Sequence, residues 1–150
     1  ILEENLLLKF IIISEFWFSG KIALRIFVWV FAGLKNANIP SERTKNIKNT
    51  IERMNMTIRT YTGGYLRYEG DNYIGGNPWI IANLWLAEYY LKAGIKNRAR
   101  ECFDFAIIGS NEHGLLPEQV DNNTMDPAWV IGLGWSHAMF INVLEKLYAK

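Results

Sequence analysis

The side chains in this chain best suited to chemistry are one loop glutamate, one arginine–aspartate pair and several large aromatics. Glu118 stands in the run His113-Gly114-Leu115-Leu116-Pro117-Glu118-Gln119-Val120, and sixteen positions later begins Gly134-Trp135-Ser136-His137-Ala138. Upstream lies Arg67-Tyr68-Glu69-Gly70-Asp71-Asn72-Tyr73-Ile74-Gly75-Gly76-Asn77-Pro78-Trp79. A carboxylate can move a proton. An arginine fork can grip two hydroxyls at once, as lysine cannot. Rigid aromatic faces can cover the apolar faces of a pyranose. Together these are the requirements of a site for a sugar ring. Hydrolysis of a glycoside needs two carboxyl groups, one protonated to serve the leaving oxygen and one ionised to attack or to activate water.

The same three segments resemble the glucoamylase family (glycoside hydrolase family 15) in order and spacing. The resemblance runs from Gly63 to about Phe140, roughly half of the 150 residues. It implies an all-α fold, part of an (α/α)6 toroid of six helical hairpins, with the active site at the end where the inner helices begin. It implies that Glu118 is the general base of an inverting reaction, with carboxyls roughly 6.5–9.5 Å apart to admit a water. A base in that role is expected to have a near-normal pKa, so that it is ionised while the acid is not. The resemblance further implies that Arg67, Asp71, Tyr73, Trp79 and Trp135 bind substrate, with Asp71 also able to orient Arg67. Gly134 stands where the family has Thr. The implied substrate is an α-glucan or a small α-glucoside, cleaved from the chain end without a cofactor. A trehalase of the same family, and a non-catalytic glucan-binding or regulatory module, are the alternatives. The family's general acid lies upstream, on a segment with a Trp and adjacent acidic residues. Nothing in residues 1–62 matches it, and Glu3, Glu4 and Glu15 are the only acids before Glu42.

Each residue also has a plainer reading. Glu118 could be a surface glutamate, Arg67 a structural partner of Asp71 or Glu69, and Tyr73 a packing residue beneath its loop. A Trp beside a helix start, as at Trp79 and Trp135, is often core; Trp85 is expected in the core, and Trp129 is left open between the two. Asn77 reads as a helix cap. His113 and His137 belong to no cluster with metal-ligand spacing, so no metal is expected. Gly63-Gly64 and Gly75-Gly76 lack the spacing and the lysine of a phosphate-cradling loop.

Bulk properties fit this picture. Half of the residues are apolar, enough for one core. A net charge of +1 gives no electrostatic case for nucleic acid. Cys102 is the single cysteine, so no internal disulfide forms; this fits a reducing compartment, and a cytoplasmic location is expected. Residues 6–34 are strongly apolar, but charges interrupt them, and the longest uncharged piece, residues 26–34, is too short to span a bilayer. No transmembrane span is expected. The chain opens on Ile1, and its first methionine is Met54. The expectation is therefore a fragment, with residues 35–150 forming a C-terminal portion of the barrel and the N-terminal half of the barrel as its missing partner. Residues 1–34 form an ambiguous segment with a poor family match, open to helix or strand.

The elements that would position the site can be read from periodicity. Ile47, Ile51, Met54 and Ile58 lie on one helical face after a start at Ser41, and Tyr61-Thr62-Gly63-Gly64 should end that helix. Residues 63–76, with five glycines, read as a loop or short hairpin. Ile80, Leu84, Ala87 and Leu91 stripe a second helix begun by Asn77-Pro78-Trp79. Ile95, Ala99, Cys102, Phe103 and Ala106 stripe a third, and the short connection at Gly94 makes the pair a helical hairpin. Residues 109–135 read as one long functional loop. Met139, Val143 and Leu147 mark a last helix from Ser136 to about Tyr148.

Overall fold

A computed structural model describes residues 41–148, and the expected ambiguous segment, residues 1–34, lies outside them. Four helices carry the described residues: α1 (Ser41–Thr57), α2 (Ile80–Lys92), α3 (Lys96–Ile108) and α4 (Gly134–Tyr148). A short antiparallel ribbon, β1 (Pro117–Val120) with β2 (Pro127–Ile131), stands between α3 and α4. The chain divides into two compact units, residues 1–53 and residues 54–150. In the first, α1 begins, with Ile51 buried on the anticipated face. In the second, Met54 and Ile58 are buried. The helix ends at Thr57, earlier than its sequence suggests. Arg59 already pairs with Tyr65 as a β-bridge, which takes the backbone out of helix.

Helix α2 is the central element of the second unit. It is buried nearly all round, including Ile80, Ile81, Leu84, Leu86, Ala87 and Tyr90. A helix that is apolar on most sides belongs inside a protein, and α3 and α4 both pack on it. Its end is a Schellman closure: Ile95 N–H reaches the Tyr90 carbonyl, Gly94 N–H the Leu91 carbonyl, and Gly94 takes φ +74°. That closure turns the chain directly into α3 and makes the expected hairpin. Ala99, Cys102, Phe103 and Ala106 are buried as anticipated, whereas Ile95 is exposed because it lies in the turn. Burial pushes the Cys102 thiol up to about 12, so it acts as a small apolar side chain. Phe103 stacks on Phe140 of α4, with centroids 4.5 Å apart. The buried Glu88 of α2 is held by Lys92 at 3.2 Å and by Lys146 of α4. Trp85 is half-buried rather than enclosed. Among the described residues, no helix is long and apolar enough to cross a membrane.

Residues 109–135 are not one loop. The ribbon inside them escapes a sequence reading because each strand is short, starts at a proline and shows no clean alternation. Its turn is closed by Asp121, whose carboxylate accepts the N–H groups of Asn123 at 2.8 Å and Thr124 at 2.9 Å. Those bonds hold its carboxyl below the usual range. Gly109 is required where α3 meets the ribbon, since a Cβ there would run into Val120. Gly64 is required for the same kind of reason: its Cβ would stand 2.5 Å from Phe105 and from Pro78.

Candidate active site

The site lies where the 59–79 segment meets the ribbon. Trp79 is the junction. Its N–H donates to the Tyr65 carbonyl at 2.9 Å, and it bridges Gln119 of β1 as an antiparallel partner. Val120 N–H donates to the Pro78 carbonyl at 3.0 Å. The ribbon is thus stitched to the start of α2. Asn77, expected as a helix cap, does a different job. The helix begins at Ile80 with no side-chain cap. Asn77 instead donates to the Ile74 carbonyl at 3.1 Å and accepts from Asn122 N–H at 3.2 Å, tying the Tyr73 turn to the ribbon's turn.

Arg67 organises the cluster. Its Nε donates to Asp71 Oδ2 at 3.1 Å and a terminal nitrogen donates to Oδ1 at 3.0 Å. The Asp71 side chain is only 1% exposed, and it also accepts Tyr73 N–H at 3.2 Å. The guanidinium carbon lies 4.7 Å from the centroid of Trp79, 5.1 Å from Tyr73 and 4.9 Å from Tyr68. These distances are within cation–π range. Asp71 is therefore buried behind Arg67, and its carboxylate serves the arginine. The plainer reading of Arg67 as a partner of Asp71 is met as well, since the pair exists. The ion pair leaves the guanidinium's broad face to the aromatics.

Glu118 is half-buried on β1. Burial raises its carboxyl pKa above the ordinary value, against smaller lowering effects from the Gln119 side chain and the Arg67 charge. The acidity expected from sequence to be near normal is thus shifted upward, because the half-buried carboxylate loses water. The Glu118 strand is anchored from α4. Ser136 Oγ donates to the Pro117 carbonyl at 3.3 Å. His137 Nε2 accepts Leu116 N–H at 3.2 Å while its Nδ1 faces the Leu133 carbonyl at 2.9 Å. One N–H and one lone pair satisfy both bonds only in the neutral ring with the proton on Nδ1. His137 is accordingly a backbone clamp. Among the described residues, no cluster of metal-binding side chains occurs.

Trp135 occupies the first turn of α4, beside the Ser136 anchor, and is 48% exposed. Among the described residues, its ring makes none of the contacts that join Arg67 to Tyr68, Tyr73 and Trp79. Trp129 does touch the cluster, through the Tyr73 ring. Pro117 pairs with Ile131 and Gln119 with Ala128, so Glu118 alone faces two residues, Trp129 and Val130. This is a β-bulge, a device that bends a strand and re-aims a side chain. Trp129 takes φ +69°, and its ring meets Tyr73 edge-on at 6.2 Å and 81°. A bulky residue in that backbone region costs about 1–3 kcal/mol. The only hint in the sequence is the Pro127-Ala128-Trp129 run itself, which does not reveal a bulge.

Comparison with known proteins gives a fold and a set of relatives. The chain superposes on the structure of Hormoconis resinae glucoamylase with a TM-score of 0.64 at 16% identity, over 87% of this chain and 33% of that one. That likeness establishes an all-α, six-hairpin glycosidase-like fold. In sequence, the chain is 36% identical over 105 residues to the uncharacterized glycosyl hydrolase MJ1610 of Methanocaldococcus jannaschii, covering 61% of this chain and 17% of that protein. It is 30% identical over 79 residues to Trehalase 2 of Sulfolobus acidocaldarius, covering 52% of this chain and 14% of that protein. Trehalase 1 of the same organism is 26% identical over 89 residues, covering 58% and 16%. The chain thus spans between 14% and 17% of the length of these relatives. No protein-family model matches it.

Proposed function

We propose that this chain contributes the general-base side of a glycoside hydrolase site that acts on an α-linked glucoside with inversion. The observation that carries the reading is the placement of Arg67. One guanidinium is locked by a buried Asp71, lies among the rings of Tyr68, Tyr73 and Trp79, and acts electrostatically on Glu118. In this reading Glu118 takes the proton of the attacking water, and its raised basicity strengthens it for that task. Arg67 holds sugar hydroxyls, Asp71 fixes Arg67, and Tyr73, Trp79 and Trp135 contact the ring. Two buried polar atoms, Trp79 Nε1 and Gln119 Oε1, have no hydrogen-bond partner among the described residues. A buried donor and acceptor of that kind suit a polyhydroxylated ligand.

The general acid belongs elsewhere in the intact protein. The reaction is then a single displacement: water adds to the anomeric carbon as the glycosidic bond breaks, Glu118 receives the water's proton, and the acid gives one to the leaving oxygen.

Two substrate classes divide the reading. Glucoamylase-type action on the end of an α-glucan accords with the fold likeness. Trehalose is favoured by the two relatives named as trehalases. Hydrolysis assays of the intact protein on maltose, maltodextrin and trehalose separate them, with the anomer of the first product read by NMR. The expected result is β-glucose released from a maltose end, or equal α- and β-glucose from trehalose. Retention of configuration, or no hydrolysis of any glucoside, would overturn the proposal.

A further inference from the structure

The bulge residue Trp129 has no part in the reading so far. Its environment combines three features. It sits directly across the ribbon from Glu118, sharing that position only with Val130. It holds a left-handed backbone at φ +69°. It remains 53% exposed despite its edge contact with Tyr73. A large apolar side chain normally contributes to a fold by leaving water. Here about half of the residue's surface stays in water, while its backbone is held in a conformation that glycine would adopt freely. Core packing does not account for that combination. Strain of this kind gathers at functional sites.

The neighbours point the same way. Ile74, a β-branched residue at φ +50°, is a second outlier and adjoins Tyr73. Tyr73 touches both the Trp129 ring and the Arg67 guanidinium. The two strained segments thus meet at Tyr73, one from the Arg67 loop and one from the ribbon. An indole placed there adds a flat apolar face beside a carboxylate and an arginine, the chemistry that recognises a pyranose ring.

We propose that Trp129 is a saccharide-contacting specificity residue that packs against the same terminal glucosyl ring held by Arg67. The assignment rests on the glycoside-hydrolase reading above. It makes the bulge a device for turning an indole toward the base, and it means that the ring bound there is recognised whatever its leaving group. Loss of the indole should therefore weaken a monosaccharide and a disaccharide alike.

The test is calorimetric binding to the full chain of glucose, 1-deoxynojirimycin, maltose and trehalose, with hydrolysis followed where it occurs. Trp129→Ala should weaken all four by at least ten-fold, raise KM in the same proportion and leave kcat within about two-fold. Trp129→Tyr should recover most of the affinity, since a second flat ring supplies a face. Trp129→Gly relieves the backbone, so it should melt at or above the wild-type temperature while binding as poorly as Trp129→Ala; it also supplies the answer if the alanine variant fails to fold. Unchanged affinity in Trp129→Gly overturns the inference and leaves the parent reading standing. So does a loss confined to the disaccharides, or a change of oligomeric state with saccharide affinity intact. If the wild-type chain binds none of the four and the intact protein hydrolyses no glucoside, the parent reading has failed and takes this inference with it.

Discussion

Arg67 and Asp71 form a two-point ion pair, Nε to Oδ2 at 3.1 Å and a terminal nitrogen to Oδ1 at 3.0 Å, with the carboxylate sealed from solvent. Removing one partner of such a pair strands a buried charge. Arg67→Ala should therefore destabilise the protein by about 3–5 kcal/mol in urea unfolding. Arg67→Lys keeps the charge but loses the fork, and should fall between the two. The double variant Arg67→Ala/Asp71→Ala should cost less than the sum of the single changes, because it leaves no orphaned carboxylate. Strict additivity would contradict the pairing.

Glu118 gives a stability prediction whose sign follows from its raised carboxyl pKa. Between the unfolded and the folded pKa the native state binds more protons, so stability falls as pH rises through that window. The destabilising contribution is complete above the folded value. Glu118→Gln removes it. The variant should melt slightly above wild type at neutral pH, and the difference should vanish below the ordinary carboxyl range. The gain is small because the group is partly solvated. Thermal melts across pH 3–8 read it. A variant less stable than wild type at neutral pH would mean that the charge is stabilising.

If Glu118 is the base proposed above, the same carboxyl sets the acid limb of turnover. A base must be ionised, so hydrolysis by the intact protein should decline as pH falls through a value above the usual glutamate range of about 4.3. The Arg67 charge lowers the Glu118 pKa. Arg67→Gln should therefore move the limb to higher pH. A limb that stays in place, or moves down, would uncouple the two groups.

Gly64 tests how the Arg67 loop is seated. A methyl group there would stand 2.5 Å from the Phe105 ring of α3 and from Pro78. Gly64→Ala should cost about 1–3 kcal/mol through overpacking. It should also weaken saccharide binding, since the displaced segment carries Arg67. A stable variant with normal binding would show that the loop shifts at no cost.

The helices and the Arg67 loop were legible because their signals are local. Leu84 and Ala87, or Cys102 and Ala106, declare a buried helical face by spacing alone. The Arg67–Asp71 pair was readable as one of two alternatives, and it turns out that the ion pair is what presents the guanidinium to the aromatics. The ribbon was not legible. Its strands have four and five residues, and β1 is tied to the start of α2 by Trp79, which pairs with Gln119 across forty positions of chain. Asn77 misled for a similar reason. Its place before Pro78 looks like a cap, yet its side-chain oxygen accepts the Asn122 N–H, a partner no local pattern can supply. Ser136 and His137 show the reverse case. They lie in a motif read for its tryptophan, and their own work is to hold the backbone at Leu116 and Pro117, just ahead of Glu118. The acidity of Glu118 and the strained Trp129 are likewise properties of the folded ribbon.

The most direct test of the account is turnover and binding of the intact protein carrying Glu118→Gln, measured beside wild type on the substrate that wild type cleaves. The account predicts a fall in kcat of several orders of magnitude, with substrate affinity retained to within a few-fold. Near-normal turnover in that variant would remove Glu118 from the chemistry and contradict the account.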